Sequence, residues 1–174
     1  MSRHLNNSIE INPLFKEDAE TVSKLLQENI DEYEKDSTLL HAMMRRAANL
    51  LKTYDDENSE MYVAKSIGAN NGTVVACAGI GSLHGLPRSE GRGEIRDLIV
   101  HESFRGNGIG TILINLCIEK CASLGYKQIY LETTPAMKVA QKLFLRTGFR
   151  PVTSTSEKND SSETLPSYFI KELH

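Results

Sequence analysis

No stretch of the chain approaches the ~18 consecutive apolar residues that a membrane-spanning helix needs, so a membrane partner is not expected. The opening residues Met1–Glu10 also lack the apolar run of a secretory signal. Cysteine is scarce: only Cys77, Cys117 and Cys121, three in all. A small odd number argues against a disulfide framework and fits a reducing cytoplasm. Cys117 and Cys121 stand one helical turn apart, but no further Cys or His lies at a spacing that would complete a metal site. Both read as small core residues, and no metal is expected. Positive charge is not in excess either: 20 Lys and Arg face 23 Asp and Glu, a net charge of −3. A general nucleic-acid binder would show a basic surplus, so no nucleic-acid partner is expected.

What is present is globular. The 174 residues are 40% hydrophobic and 25% charged, which suits one domain over residues 1–174 with a proper core. Ile9 and Ile11 alternate with polar neighbours as a first strand ending near Pro13. Val22, Leu25, Leu26 and Ile30 make the stripe of a helix over about 18–30, with Glu17, Asp18 and Glu20 at its positive end. Ser37 or Thr38 caps a second helix carrying Leu39, Leu40, Met43, Ala47, Leu50 and Leu51 at helical spacing. Strands are predicted near 61–67 and 73–82, joined by the turn residues Asn70, Asn71 and Gly72. A loop over 83–93 leads to a strand at Glu94–Val100, and then to a helix over about 108–124 ended by Gly125. A strand at 128–133, a helix from Pro135 to Arg146 closed by Gly148, and strands at 149–152 and 167–173 complete the order. The polar run 153–163 between those last strands reads as a mobile loop.

The chemistry is concentrated where the strand Glu94–Val100 passes through Arg105-Gly106-Asn107-Gly108-Ile109-Gly110 into an amphipathic helix. Glycines let a backbone approach a phosphate closely, and a helix start aims N–H groups and a positive dipole end at it. A Walker loop would need Gly-Lys-Ser/Thr, which is absent. The dinucleotide fingerprint needs its third glycine three residues after the second, whereas Gly108 and Gly110 are two apart. An ordinary turn before a helix would use the same glycines.

This Arg-x-x-Gly-x-Gly loop between strand and helix resembles the pyrophosphate-binding signature of the GNAT N-acetyltransferase superfamily. Downstream, Ala140-Gln141-Lys142-Leu143-Phe144-Leu145-Arg146-Thr147-Gly148-Phe149 resembles that family's second motif, Ala-x-x-Leu-Tyr-x-x-x-Gly-Phe. The resemblance covers nearly the whole chain and implies an α/β GNAT fold: a mixed, mostly antiparallel sheet of about seven strands flanked by about four helices. It implies acetyl-CoA as co-substrate and a primary amine of a small molecule or protein as acceptor. It implies that backbone groups of Leu98, Ile99 and Val100 meet the pantetheine arm. Amides of Arg105, Gly106, Asn107, Gly108, Ile109 and Gly110, with Thr111, would hold the pyrophosphate.

Acetyl transfer needs a neutral amine, a polarised carbonyl and a proton for the departing thiolate. The strand N–H near Val100 can serve as the oxyanion donor. Glu94 is the candidate base; it stands eleven residues before Arg105, where some members of the superfamily carry a catalytic glutamate. A strand-end carboxylate facing water is the plainer reading. His84 and Glu132 could also face the acceptor, while His101 reads as an exposed turn residue. Strict alternation separates Asp97 from Glu94, putting them on opposite faces. Two departures stand out against the family pattern. Phe144 occupies the position of the tyrosine that protonates the thiolate, and Met137 that of an asparagine touching the pantetheine. The acid would then be water or another tyrosine, such as Tyr130 or Tyr168. These losses keep open an alternative, a non-catalytic acyl-CoA-binding module. Arg88 and Arg92 could attract a carboxylate-bearing amine, although solvated loop arginines would look the same. The sequence leaves a homodimer open.

Overall fold

A computed structural model describes residues 3–5, 9–29, 38–68, 72–134, 137–152 and 168–174. Its sheet has the order β1-β2-β3-β4-β5-β6-β8-β7. The strands are β1 (Arg3–Leu5), β2 (Ile9–Pro13), β3 (Glu60–Ser66), β4 (Thr73–Ser82), β5 (Arg92–Val100), β6 (Gln128–Glu132), β7 (Arg150–Pro151) and β8 (Tyr168–Glu172). Neighbours are antiparallel except β5 and β6, which run parallel. The helices are α1 (Ala19–Glu28), α2 (Thr38–Ala48), α3 (Leu50–Thr53), α4 (Ile109–Ser123) and α5 (Lys138–Arg146). This is the expected mixed, mostly antiparallel sheet with helices, plus a short edge strand, β1, that the sequence pattern did not announce.

Alternation along the strands divides the core in two. Met61, Val63, Val74, Cys77 and Ile99 face α1 and α2, where Val22, Leu26 and Met43 are fully buried. Ala64, Ala76, Ile80, Ile95 and Ile129 face the other way, toward Ile109, Leu113, Ile114 and Cys117 of α4 and Phe144 of α5. With both faces covered, β4 is buried almost end to end. Each fully buried Leu or Ile of α4 contributes about 1.5–3 kcal/mol from leaving water, which fixes that helix and the loop that opens it. Ile114 belongs to this buried set.

Three boundaries moved. The second helix breaks at Asn49 (φ −132°, ψ 41°) and resumes as α3. The strand predicted from Glu94 starts two residues earlier, so Glu94 is its third residue. The loop over 83–93 holds two short 3₁₀ turns, Leu83–Gly85 and Arg88–Glu90. The expected turn residues Asn70 and Asn71, Pro135 and the polar run 153–163 lie outside the described residues. Cys77, Cys117 and Cys121 are free and buried. Burial pushes their thiols up, Cys121 to about 12, and no metal-competent cluster occurs among the described residues.

Candidate active site

The site begins where two strands part. Among the described residues β5 and β6 pair only from Arg92↔Gln128 to Ile95↔Leu131; beyond Ile95, β5 pairs with β4 alone. Just past the last shared rung the chain bulges. Asp97 takes φ +54°, and the β4–β5 register shifts between Cys77 and Gly79. The extra residue turns Asp97 to the same face as Arg96, and therefore as Glu94. Strict alternation placed Asp97 and Glu94 on opposite faces; the bulge overturns that.

Asp97 is held firmly in this strained conformation. Its side chain has no solvent exposure. Arg46 of α2 donates to both carboxylate oxygens (Nε–Oδ2 2.7 Å, Nη2–Oδ1 2.6 Å), and the Tyr54 hydroxyl donates to Oδ2 at 2.6 Å. Desolvation alone would lower the Arg46 pKa, but the bond to Asp97 and its charge leave it above the ordinary value. Burial first, and then the Asp97 charge, push the Tyr54 phenol well up, keeping it a neutral donor. Arg96 lies over the Tyr54 ring, 5.2 Å from its centroid, and donates to Glu94 Oε1 at 2.8 Å. Tyr54 and Arg96 lie flat on β4 because Gly79 and Gly81 stand beneath them. A Cβ at Gly81 would come 2.5 Å from the Arg96 guanidinium, and one at Gly79 would overlap the Tyr54 ring.

At the far end of β5 the chain turns into α4. Gly106 and Gly108 both sit at φ +79°, with no atom within 4 Å of where a Cβ would project. Gly108 is the N-cap of α4, so Ile109, Gly110 and Thr111 carry the first-turn amides that a helix cannot satisfy internally. Arg105 folds back, donating through Nε to Val100 O at 2.8 Å and through Nη2 to Asn29 at 3.3 Å. Asn107 donates to the Phe104 and Arg105 carbonyls, both at 3.3 Å. A Cβ at Gly110 would come 3.0 Å from Leu143 of α5, so α4 and α5 approach closely there. The loop thus lies open, and the diverged edge of β5 leads from it to the bulge.

Between the parted strands is a cleft of about 250 Å³, walled by α2, β5, the end of β6, α5, His84 and Tyr168. It brings together Glu94, Leu98, Glu132 and His84. Phe144 and Met137 also line it. Phe144 is only 2% exposed and packs on Phe169 and Phe149, with ring centroids 5.7 and 6.3 Å away. His84, a non-glycine residue at φ +47°, shares a 3.2 Å hydrogen bond with the Tyr168 hydroxyl. Burial, followed by Glu132 and Glu94, raises the Tyr168 phenol. Burial also raises the Glu132 carboxyl, His84 opposing and Glu94 adding to it.

Other candidates are not part of the cleft wall. Tyr130 donates to Gln128. His101 accepts from the Ser103 amide at the start of a 3₁₀ turn, and Arg88 donates to Leu124 O at the end of α4. Sequence reasoning missed Arg45, Arg46 and Tyr54. The available signals were two adjacent arginines on an otherwise apolar helix and two glycines inside a strand, which mark a close approach from above.

Comparison with known proteins agrees with this layout. Residues 22–149 match the model of the acetyltransferase (GNAT) family, and the chain belongs to that family. No curated protein is similar enough in sequence to count as a match. Among solved structures, an acetyltransferase of the GNAT family from Staphylococcus aureus Mu50 superposes with a TM-score of 0.73 at 17% identity, over 95% of this chain and 99% of that one. A GCN5-related N-acetyltransferase from Kribbella flavida gives 0.70 at 18% identity, covering 95% and 98%. An acetyltransferase from Streptococcus agalactiae 2603 gives 0.70 at 16%, again covering 95% and 98%. At these identities the likeness is one of fold. The family supplies the activity class, acetyl transfer.

Proposed function

We propose that the protein moves an acetyl group from acetyl-CoA to a primary amine in the cleft between β5 and β6. The observation that carries this is the continuity of open loop, diverged strand edge and cleft. Gly106 and Gly108 leave space where a Cβ would intrude, and the first turn of α4 carries the N–H donors that a pyrophosphate requires. Acetyl-CoA fits this cradle and supplies an activated acyl thioester. In this reading Arg105 to Thr111 hold the pyrophosphate, Leu98 to Val100 offer backbone groups to the pantetheine, and the Val100 region supplies the oxyanion donor.

Glu94 takes the amine proton, directly or through water. Arg96 engages its Oε1, which fixes the carboxylate in place and leaves Oε2 for the acceptor. Phe144 has no proton to give, so the thiolate, a tolerable leaving group with a free-thiol pKa of about 8.5, departs with water or with Tyr168. The reading takes residues 1–174 as one domain. It places the protein in a reducing cytoplasm, in keeping with its free buried cysteines.

Burial of Phe144 favours one competing reading, an acyl-CoA-binding module without turnover. Calorimetric titration with acetyl-CoA, ATP and NAD, followed by thiol release with a panel of primary amines, separates the two. Selective acetyl-CoA binding with amine-dependent release is expected. Binding without release supports the module, and no binding overturns both.

A further inference from the structure

Three carboxylates line the cleft, and two of them are already neutralised. Asp97 is taken by Arg46 and Tyr54, and Glu94 by Arg96 at 2.8 Å. Glu132 is the third. It has neither a hydrogen-bond nor a salt-bridge partner among the described residues, yet it is half-buried at the mouth of the strand divergence. Its placement follows from register. Tyr130 is the rung partner of Glu94, and Glu132 lies two residues further, so alternation puts it on the face of Glu94. Two residues of rise and one strand spacing separate the two Cα atoms by about 8 Å. Two carboxylates on neighbouring strands thus look into one cavity, one bonded to a guanidinium and one that His84 and Arg46 reach only through space.

Building on the proposed transferase reading, we infer that Glu132 anchors a cationic group of the acceptor. The preferred acceptor is then a primary amine carrying a second positive charge, such as a short diamine. Glu94 serves the reacting amine, and Glu132 holds the other ammonium. A half-buried carboxylate without a bonded counter-charge is disfavoured by desolvation, and an incoming ammonium supplies the missing bond. The opposite preference, for an acceptor bearing a carboxylate, finds little support. Arg46 and Arg96 are committed to Asp97 and Glu94, which leaves Arg45, solvent-exposed at the α2 wall of the cleft, as the one lining arginine outside those pairs among the described residues. The raised Glu132 carboxyl points the same way, because the folded protein disfavours the ionised form until a cation arrives. For an acid whose folded pKa is raised, ionisation costs stability as pH rises through that value. Glu132→Gln should therefore melt no lower than wild type at neutral pH, whereas a carboxylate kept for structure would melt lower on its removal.

The test compares wild type and Glu132→Gln with three acceptors of similar length: diaminobutane, butylamine and γ-aminobutyrate. Diaminobutane is also titrated calorimetrically into each protein without acetyl-CoA. Glu132→Gln should raise KM for diaminobutane about tenfold or more, the cost of losing a charge partner, with kcat and both butylamine constants nearly unchanged. It should weaken direct diamine binding to the same degree. A fall in kcat with unaltered KM for both diaminobutane and butylamine would make Glu132 the base and overturn the inference. So would a wild-type preference for γ-aminobutyrate. If no amine supports turnover in wild type, the transferase reading fails, and the calorimetric comparison decides alone. Diamine binding weakened by Glu132→Gln upholds the inference; unchanged or absent binding overturns it.

Discussion

Asp97→Asn removes one negative charge at the point where β5 leaves β6, and its cost can be worked from the structure. Asparagine is nearly the same size and tolerates a left-handed conformation, so neither cavity nor backbone strain enters at φ +54°. What is lost is the charge that two Arg46 donors, at 2.7 and 2.6 Å, and the Tyr54 hydroxyl are arranged to meet. Arg46 keeps its own charge with 16% of its side chain exposed. Breaking a buried pair by neutralising one member costs about 3–5 kcal/mol. For a protein of this length each kcal/mol is worth about 2–4 °C, so Tm should fall by roughly 6–20 °C. Calorimetric or circular-dichroism melts of wild type, Asp97→Asn, Arg46→Met and the double variant measure this. The double variant should recover part of the loss, because it leaves no orphaned buried charge. A Tm within about 2 °C of wild type for Asp97→Asn, or simple additivity in the double variant, would refute the claim that this pair fixes the bulge.

Gly108→Val should abolish acetyl-CoA binding while sparing the fold: its Cβ meets nothing within 4 Å, so the folded-state cost is about 1–2 kcal/mol of left-handed strain. Calorimetric titration checks this, and unchanged affinity in a folded variant removes the loop from the cofactor site. Glu94→Gln should lower kcat by about 10²–10⁴-fold, the loss shrinking as pH nears the pKa of the amine; wild-type turnover across the whole pH range would take Glu94 out of the mechanism. Phe144→Tyr places a hydroxyl in an aromatic cluster where the ring is 2% exposed. Without a partner it costs about 1–3 kcal/mol, so the melt should drop by several degrees while thiol release stays equal or rises modestly. A strong gain from an inert wild type would support the binding-module reading instead.

The fold was legible because its elements carry their own periodicities. β4 was read at its observed bounds, 73–82, and α4 to within a residue, since glycines mark both of its ends. The glycine loop could be read because phosphate binding restricts residue choice over six consecutive positions. The floor of the cleft could not, and the reasons are physical. Alternation assumes an unbroken pleat, so one residue at φ +54° reverses the face of Asp97 without a mark in composition. Tyr54 and Arg46 reach Asp97 across 43 and 51 residues of sequence, and nothing local prescribes such a contact. His84 takes a left-handed conformation that no sequence pattern announces, and only the register of β6 against β5 places Glu132 on the same face as Glu94. Glu94 itself was read as a lone carboxylate; its bond to Arg96, two residues along the same strand face, was available from spacing and went unused.

A crystal structure of the protein with coenzyme A bound tests the central claim most directly. The account predicts pyrophosphate density at the start of α4, within hydrogen-bonding distance of amides between Arg105 and Thr111. The pantetheine should run along Leu98–Val100, and the thiol should enter the cleft that holds Glu94 and Glu132. A nucleotide bound anywhere else, or a thiol directed away from that cleft, would contradict it.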